Sequence, residues 1–268
     1  MSKPSDLSVR AGVGLALIAV AALALWAGGV FFWLLTVVAA LLMMSEWADL
    51  RRATPRQKRI AQFALFVPLC LMAPPSIILE TRDWFVVGLL AGATFFTVIV
   101  TRRRELALGT LYCGVPVLAL VVLRRQHEGV GWTLWALALV WATDIGAYFA
   151  GRAIGGAKLW PAISPNKTWA GLAGGVVAAT LFGLSMHKLV GLPWRMTLAT
   201  PVLAMLAQGG DLYESWLKRR AGVKDSGTLL PGHGGVMDRL DGLVPVAPVA
   251  AALAVLPTVR LFVGAHLG

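Results

Sequence analysis

Apolar positions gather into nine runs along the chain, at 11–27, 30–44, 61–79, 84–100, 107–123, 132–150, 170–190, 196–212 and 243–266. Short polar stretches rich in arginine, lysine, glycine and proline separate them. Most runs approach the roughly 20 residues that a helix needs to cross a bilayer. The pattern predicts an all-α, polytopic transmembrane helical bundle of about nine spans. Small residues recur inside the runs, as at Gly175, Ala178 and Ala179, and they let membrane helices approach closely. Pro68, Pro74 and Pro75 interrupt the third run, and the carbonyls freed there need partners inside the bundle. Only Gly28–Gly29 divides the first two runs. A tight turn between two short spans, one long helix, and a signal sequence cleaved near Ala22–Leu23–Ala24 are all compatible with residues 11–27.

Composition strengthens this picture. The 268 residues are 58% hydrophobic and 14% charged, against about 25% charged in soluble domains. The net charge of +11 does not point to nucleic acid, because the basic residues lie in short loops beside apolar runs. Counting connections from the N-terminus as zero, the even ones hold Lys3 and Arg10; Arg51, Arg52, Arg56, Lys58 and Arg59; Arg102, Arg103 and Arg104; Arg152, Lys158 and Lys167; and Lys218, Arg219, Arg220, Lys224 and Arg239. These are 18 of the 24 lysines and arginines. Such asymmetry predicts a cytoplasmic N-terminus and cytoplasmic even loops. The expected division is an N-terminal transmembrane region over 1–130 and a C-terminal catalytic region over 131–268, its active-site loops facing the cytoplasm. Cys70 and Cys113 sit within apolar runs and read as small buried hydrophobes.

Candidate chemistry is concentrated near the C-terminus. Five acidic residues, a run of basic ones and the glycine-rich turn Gly232–His233–Gly234–Gly235 fall within 211–241. If the eighth helix continues past its apolar run, Asp211, Ser215 and Lys218 share one face. Asp238 and Asp241 stand at i and i+3, where two carboxylates repel unless a cation lies between them. A hard divalent ion such as Mg²⁺ suits oxygen ligands, so Asp211, Asp238 and Asp241 are the metal candidates. His233 suits a phosphate contact or a proton shuttle. Asp144 lies inside the sixth run, where a carboxylate suggests function. Ser164, Asn166 and Lys167 belong to Ser164–Pro165–Asn166–Lys167–Thr168, a predicted loop suited to phosphate or ribose. It is not a P-loop, since the Gly-Lys-Ser/Thr junction is missing. Glu46 and Trp47, at the end of the second run, form a fainter candidate.

The stretch from Ser215 to Asp241 resembles the signature of the phosphatidate cytidylyltransferases, or CDP-diacylglycerol synthases. Ser215, Lys218, Arg219, Lys224, Asp225, Gly227, Pro231, His233, Gly234, Gly235, Asp238, Arg239 and Asp241 fill its fixed places. The likeness extends upstream through Asp211, the 164–168 stretch and Asp144, so it covers the C-terminal half. Ala170 stands where many members have Glu. The resemblance implies transfer of a cytidylyl group from CTP to phosphatidate. It implies catalytic or metal roles for Asp211, Lys218, His233, Asp238, Arg239 and Asp241. It implies substrate binding by Asp144, Ser164, Asn166, Lys167, Ser215, Arg219, Lys224 and Asp225. Mg²⁺ is the implied cofactor, with room for a second cation. The implied partners are CTP, phosphatidate of the inner leaflet and membrane lipids, and a homodimer is allowed. The implied location is a bacterial inner membrane. Two rivals are another membrane phosphotransferase acting on a lipid phosphate and an ion or anion transporter using Asp144 and Asp211. The chain lacks the Asp-Gly-x-x-Ala-Arg core of the CDP-alcohol phosphatidyltransferases.

Overall fold

The computed structural model describes residues 4–74, 83–229 and 234–267, with side chains over 12–74, 85–229 and 234–256. Among these, one long helix follows each apolar run: α1 (Pro4–Ala27), α2 (Gly29–Leu50), α3 (Pro55–Cys70), α4 (Asp83–Thr101), α5 (Arg104–Arg125), α6 (Gly129–Ile154), α7 (Trp169–Val190), α8 (Trp194–Ala221) and α10 (Leu243–Leu267). A single turn of helix, α9 (Met237–Leu240), precedes the last. Among the described residues, α2, α5, α6 and α7 are long and apolar enough to cross a membrane; Gly12–Ala27, Phe85–Thr101 and Leu243–Leu256 are shorter apolar helical stretches. Phe63, Phe95, Phe149, Leu181 and Leu198 are each at least 60% exposed. Outward aromatic and aliphatic side chains on so many helices suit a lipid surround. The architecture is a helical fold of membrane type.

Three local features differ from or sharpen the apolar pattern. The expected loop at 164–168 is a strand, β2 (Ser164–Thr168), paired antiparallel with β1 (Lys158–Trp160). The chain is therefore not purely α, although these two strands are the only sheet among the described residues. Helix α3 begins at Pro55, six residues before its apolar run. Its start is fixed by a capping box, in which Thr54 Oγ1 accepts the Gln57 N–H and Gln57 Oε1 accepts the Thr54 N–H. The same helix closes at Cys70, and residues 75–79 of the third run lie outside the described residues. Helix α8 continues nine residues beyond its apolar run, to Ala221. Between α1 and α2 the chain breaks at Gly28 and Gly29, whose φ angles of 61° and 48° favour glycine.

The chain forms two compact units interleaved in sequence: Met1–Val121 with Trp216–Asp241, and Val122–Ser215 with Gly242–Gly268. In the first, buried Trp47 on α2 donates its indole N–H to the Glu105 carbonyl at 2.8 Å and packs on Tyr112 with ring centroids 4.8 Å apart. Trp33 donates to the Leu69 carbonyl at 2.9 Å, and Gln62 donates to the Leu41 carbonyl at 3.0 Å, so polar bonds tie α2 to α3. In the second unit, α6 and α7 run antiparallel with almost no side chain between them. A Cβ on Gly175 would sit 2.7 Å from the Thr143 carbonyl, and one on Gly171 2.9 Å from the Ala147 carbonyl. This is the small-residue packing expected where lipid removes the hydrophobic drive between helices.

Gly175→Ala is expected to destabilise the protein by about 1–3 kcal/mol, because the backbones must separate. Gly88, where a Cβ meets nothing within 4 Å, serves as control, and Gly88→Ala leaves the unfolding midpoint in detergent unchanged or raised. Equal midpoints for the two variants would contradict the packing account.

Candidate active site

In the second unit the hairpin aims Lys167 at α8. Thr168 ends β2 in extended conformation and N-caps α7, its hydroxyl accepting the Gly171 N–H at 3.0 Å. Lys167 Nζ lies 2.5 Å from Asp211 Oδ2 and donates to Gln208 Oε1 at 3.0 Å. Gln208 in turn donates from Nε2 to Asp144 Oδ1 at 3.0 Å. Ser215 donates to Asp211 Oδ1 at 3.3 Å. Gln208, Asp211 and Ser215 stand at i, i+3 and i+7, on one face of α8. Asp144 is thereby linked to Asp211 through Gln208 and Lys167. The amide is buried, while the Lys167 and Asp211 side chains remain 18% and 30% exposed. The result is a continuous row of carboxylate, amide, ammonium, carboxylate and hydroxyl, in which Asp144 is exposed and only the amide is buried.

In the first unit a second carboxylate is enclosed. Asp238, on α9, has a side chain only 4% exposed. Lys218 donates to its Oδ1 at 2.5 Å. Its Oδ2 accepts the Ser226 N–H at 2.9 Å, the Gly235 N–H at 2.7 Å and lies 2.9 Å from the Ser226 hydroxyl. The Ser226 hydroxyl is also 3.0 Å from Glu46 Oε2. Gly234 makes the turn into this cluster at φ 79°, and a Cβ there would lie 2.7 Å from Asp238 Oδ2. Burial pushes the Asp238 carboxyl up. The Lys218 ammonium and the N–H groups of Gly235 and Ser226 outweigh that and hold it below the ordinary value of 3.8.

Ser164 is half-buried and Asn166 exposed on β2, while Lys224, Asp225, Arg219 and Arg239 are exposed. Arg219 donates to the Val223 carbonyl at 3.2 Å. Asp241 is half-buried and closes α9. His233 lies outside the described residues. Three participants carried little or no signal in the sequence. Gln208 is neutral, Ser226 sits in an ordinary polar loop, and Glu46 is about 190 residues distant from the loop it meets.

Among the described residues no group of three or more His, Cys, Asp and Glu side chains is placed to hold a metal ion. Mg²⁺ is usually bound through one or two carboxylates together with substrate phosphates, and that donor set is compatible with Asp211, partly exposed and on an open row. Asp238 already has both oxygens occupied by an ammonium and N–H or O–H donors.

The depressed Asp238 value has a direct consequence. A group whose pKa is lower in the folded state adds stability that is complete above the ordinary carboxylate range and is lost as pH falls through the depressed value. The unfolding midpoint in detergent is expected to drop in acid below about pH 4, and Asp238→Asn should flatten part of that drop. An acid limb identical in variant and wild type would contradict the assignment.

The class defined by the structure is a helical protein of membrane type in which each compact unit carries a lysine–carboxylate pair. The sequence comparisons give that class a family. Residues 8–256 match the model of the cytidylyltransferase family. The chain is 42% identical over 229 residues to the phosphatidate cytidylyltransferase of Brucella suis biovar 1, covering 83% of each chain. It is 50% identical over 127 residues to a Staphylococcus epidermidis protein of the same name, covering 46% of this chain and 49% of that one. A Staphylococcus saprophyticus protein of that name is 44% identical over 141 residues, covering 52% and 54%. The chain belongs to the cytidylyltransferase family.

Proposed function

We propose that this protein transfers the cytidylyl group of CTP to phosphatidate, giving CDP-diacylglycerol and pyrophosphate. The observation that carries the reading is the match to a phosphatidate cytidylyltransferase across 83% of the chain, and the two lysine–carboxylate clusters suit its chemistry. A phosphate oxygen of phosphatidate attacks the α-phosphorus of CTP. The bond from that phosphorus to the oxygen bridging to the β-phosphorus breaks, and pyrophosphate leaves with the electron pair. Phosphatidate arrives ionised, so no strong general base is needed. The difficulty is crowding of negative charge, and groups fixed in advance relieve it most effectively. Lys167, Lys218, Lys224 and Arg239 neutralise phosphates. Asp211 and Asp238 hold the first two ammonium groups in place before substrate binds. Ser164 and Asn166, beside Lys167 on β2, contact the nucleotide. Mg²⁺, when bound, would be held by Asp211 with the nucleotide phosphates and would supply charge neutralisation and orientation.

The same reading includes topology. Nine spans, a cytoplasmic N-terminus and active-site loops on the cytoplasmic side of an inner membrane follow from the distribution of 18 of 24 basic residues. Phosphatidate then reaches the site from the inner leaflet and CTP from the cytoplasm.

The test uses purified protein in mixed micelles of detergent and phosphatidate, with CTP radiolabelled at either the α- or the γ-phosphate. The α-label is expected to move into the lipid extract with one pyrophosphate released per lipid formed, and the γ-label to remain in water. Transfer of the γ-label to lipid, or no CTP-dependent lipid product, would overturn the reading. Lys167→Met and Asp211→Asn should each lower kcat/KM by about a hundredfold or more, in line with loss of a preorganised charge. Activity within threefold of wild type would remove that residue from the site. In a cysteine-free background, single cysteines beside Arg56, Arg103 and Lys224 should react with impermeant reagent only from the cytoplasmic side. Labelling beside Lys224 from the opposite side alone would contradict the topology.

A further inference from the structure

The family match reaches back to residue 8, and one of the N-terminal helices meets the Asp238 loop. Glu46 lies near the end of α2 and is 6% exposed. An acid so placed is costly unless its oxygens are satisfied. Oε1 accepts the Val236 N–H at 2.8 Å, and Oε2 accepts the Met237 N–H at 2.8 Å. The Ser226 hydroxyl stands 3.0 Å from Oε2 and 2.9 Å from Asp238 Oδ2, so it spans the two carboxylates. Val236 is the N-cap of α9 and has no side chain able to cap. From a distant helix, Glu46 satisfies the N–H groups of the N-cap and of the first helical residue, donors that a helix start leaves without intrahelical partners.

Two glycines of the loop make room for this carboxylate. A Cβ on Gly235 would lie 2.5 Å from Glu46 Oε2 and overlap the Ser226 hydroxyl oxygen, and one on Gly227 would lie 3.0 Å from Oε1. The Gly235 N–H that a closer side chain would displace is the one that binds Asp238 Oδ2 at 2.7 Å. Acid, glycines, serine and aspartate therefore form one interlocked unit around the turn from Gly234 to Asp238.

We infer that Glu46 is a positioning residue for the reaction: its carboxylate clamps the backbone at Val236 and Met237 and so fixes Asp238, and through it Lys218, in working orientation. This rests on the activity proposed above. Both Glu46 oxygens are taken by the loop, so its replacement should act on turnover rather than on binding. Glu46→Gln puts an NH₂ where an N–H donor must be met. It is expected to lower kcat about 30-fold or more with KM for CTP within about threefold, because a misplaced supporting group costs rate even when remote. Since the two residues act as a unit, Glu46→Gln combined with Asp238→Asn should be no slower than Asp238→Asn alone. Hydrogen exchange at the Val236 and Met237 amides, measured on the whole protein in detergent, should accelerate at least tenfold in Glu46→Gln. That readout stands whether or not the protein turns over CTP, so failure of the activity and failure of the clamp are separable. Unchanged kcat, losses that multiply in the double variant, or unchanged exchange at those amides would each overturn the inference. If Glu46→Gln does not accumulate, Gly227→Ala crowds the carboxylate without removing it. About tenfold lower kcat is then expected, and wild-type kcat would overturn the inference equally.

Discussion

A carboxylate withdrawn from water must find its counter-charge and hydrogen bonds within the protein, and both polar clusters are organised by that requirement. Asp238 meets it with the Lys218 ammonium on one oxygen and donors from Ser226 and Gly235 on the other. In a low-dielectric setting such a network is strongly held when complete and strongly destabilising when one member is missing. Asp211 meets the requirement differently, with Lys167 and Ser215 as partners and with more exposure to solvent. The enclosed pair is a fixed arrangement of charge, and the open pair stays in reach of solvent.

The precision of these pairs depends on how closely backbones approach. Thr143, Ala147 and Gly151 on α6 lie against Gly175 and Gly171 on α7 with no room for added side chains. That contact fixes Asp144, one residue from Thr143, and it fixes the start of α7, where Thr168 caps the helix and Lys167 immediately precedes it. At the other cluster, Gly234 and Gly235 let main-chain N–H groups reach oxygens that a side chain would screen. Small residues do two jobs here: they bring helices together in lipid, and they bring peptide dipoles to charged groups.

Much of this was legible in the sequence. Among the described residues each apolar run holds a long helix, although the helix of the third run stops at Cys70, and four of these helices are long and apolar enough to cross a bilayer. The spacing of Asp211 and Ser215 correctly placed them one turn apart on a continuing α8. The hairpin at 158–168 was hidden, because Pro161 and Pro165 argue against a strand and the register slips between Lys158 and Trp160. For Asp238 the expected resolution of carboxylate repulsion was a metal ion, whereas Lys218 already balances its charge. Gln208 gave no signal, as a neutral amide acquires meaning only from the two charged groups it joins. Glu46 stood out merely as an acid at the end of an apolar run, because a bond across 190 positions leaves no local pattern.

Buried charge in this protein is held by named partners, and its contribution to stability can be measured apart from turnover. Thermal unfolding in detergent at neutral pH tests it most directly by comparing Lys218→Met with Lys218→Met combined with Asp238→Asn. The single variant strands a carboxylate that is 4% exposed, and it should lose about 3–5 kcal/mol. The double variant removes both charges and should recover most of that stability while remaining inactive. A Lys218→Met protein as stable as wild type, or a double variant as unstable as the single one, would contradict the account.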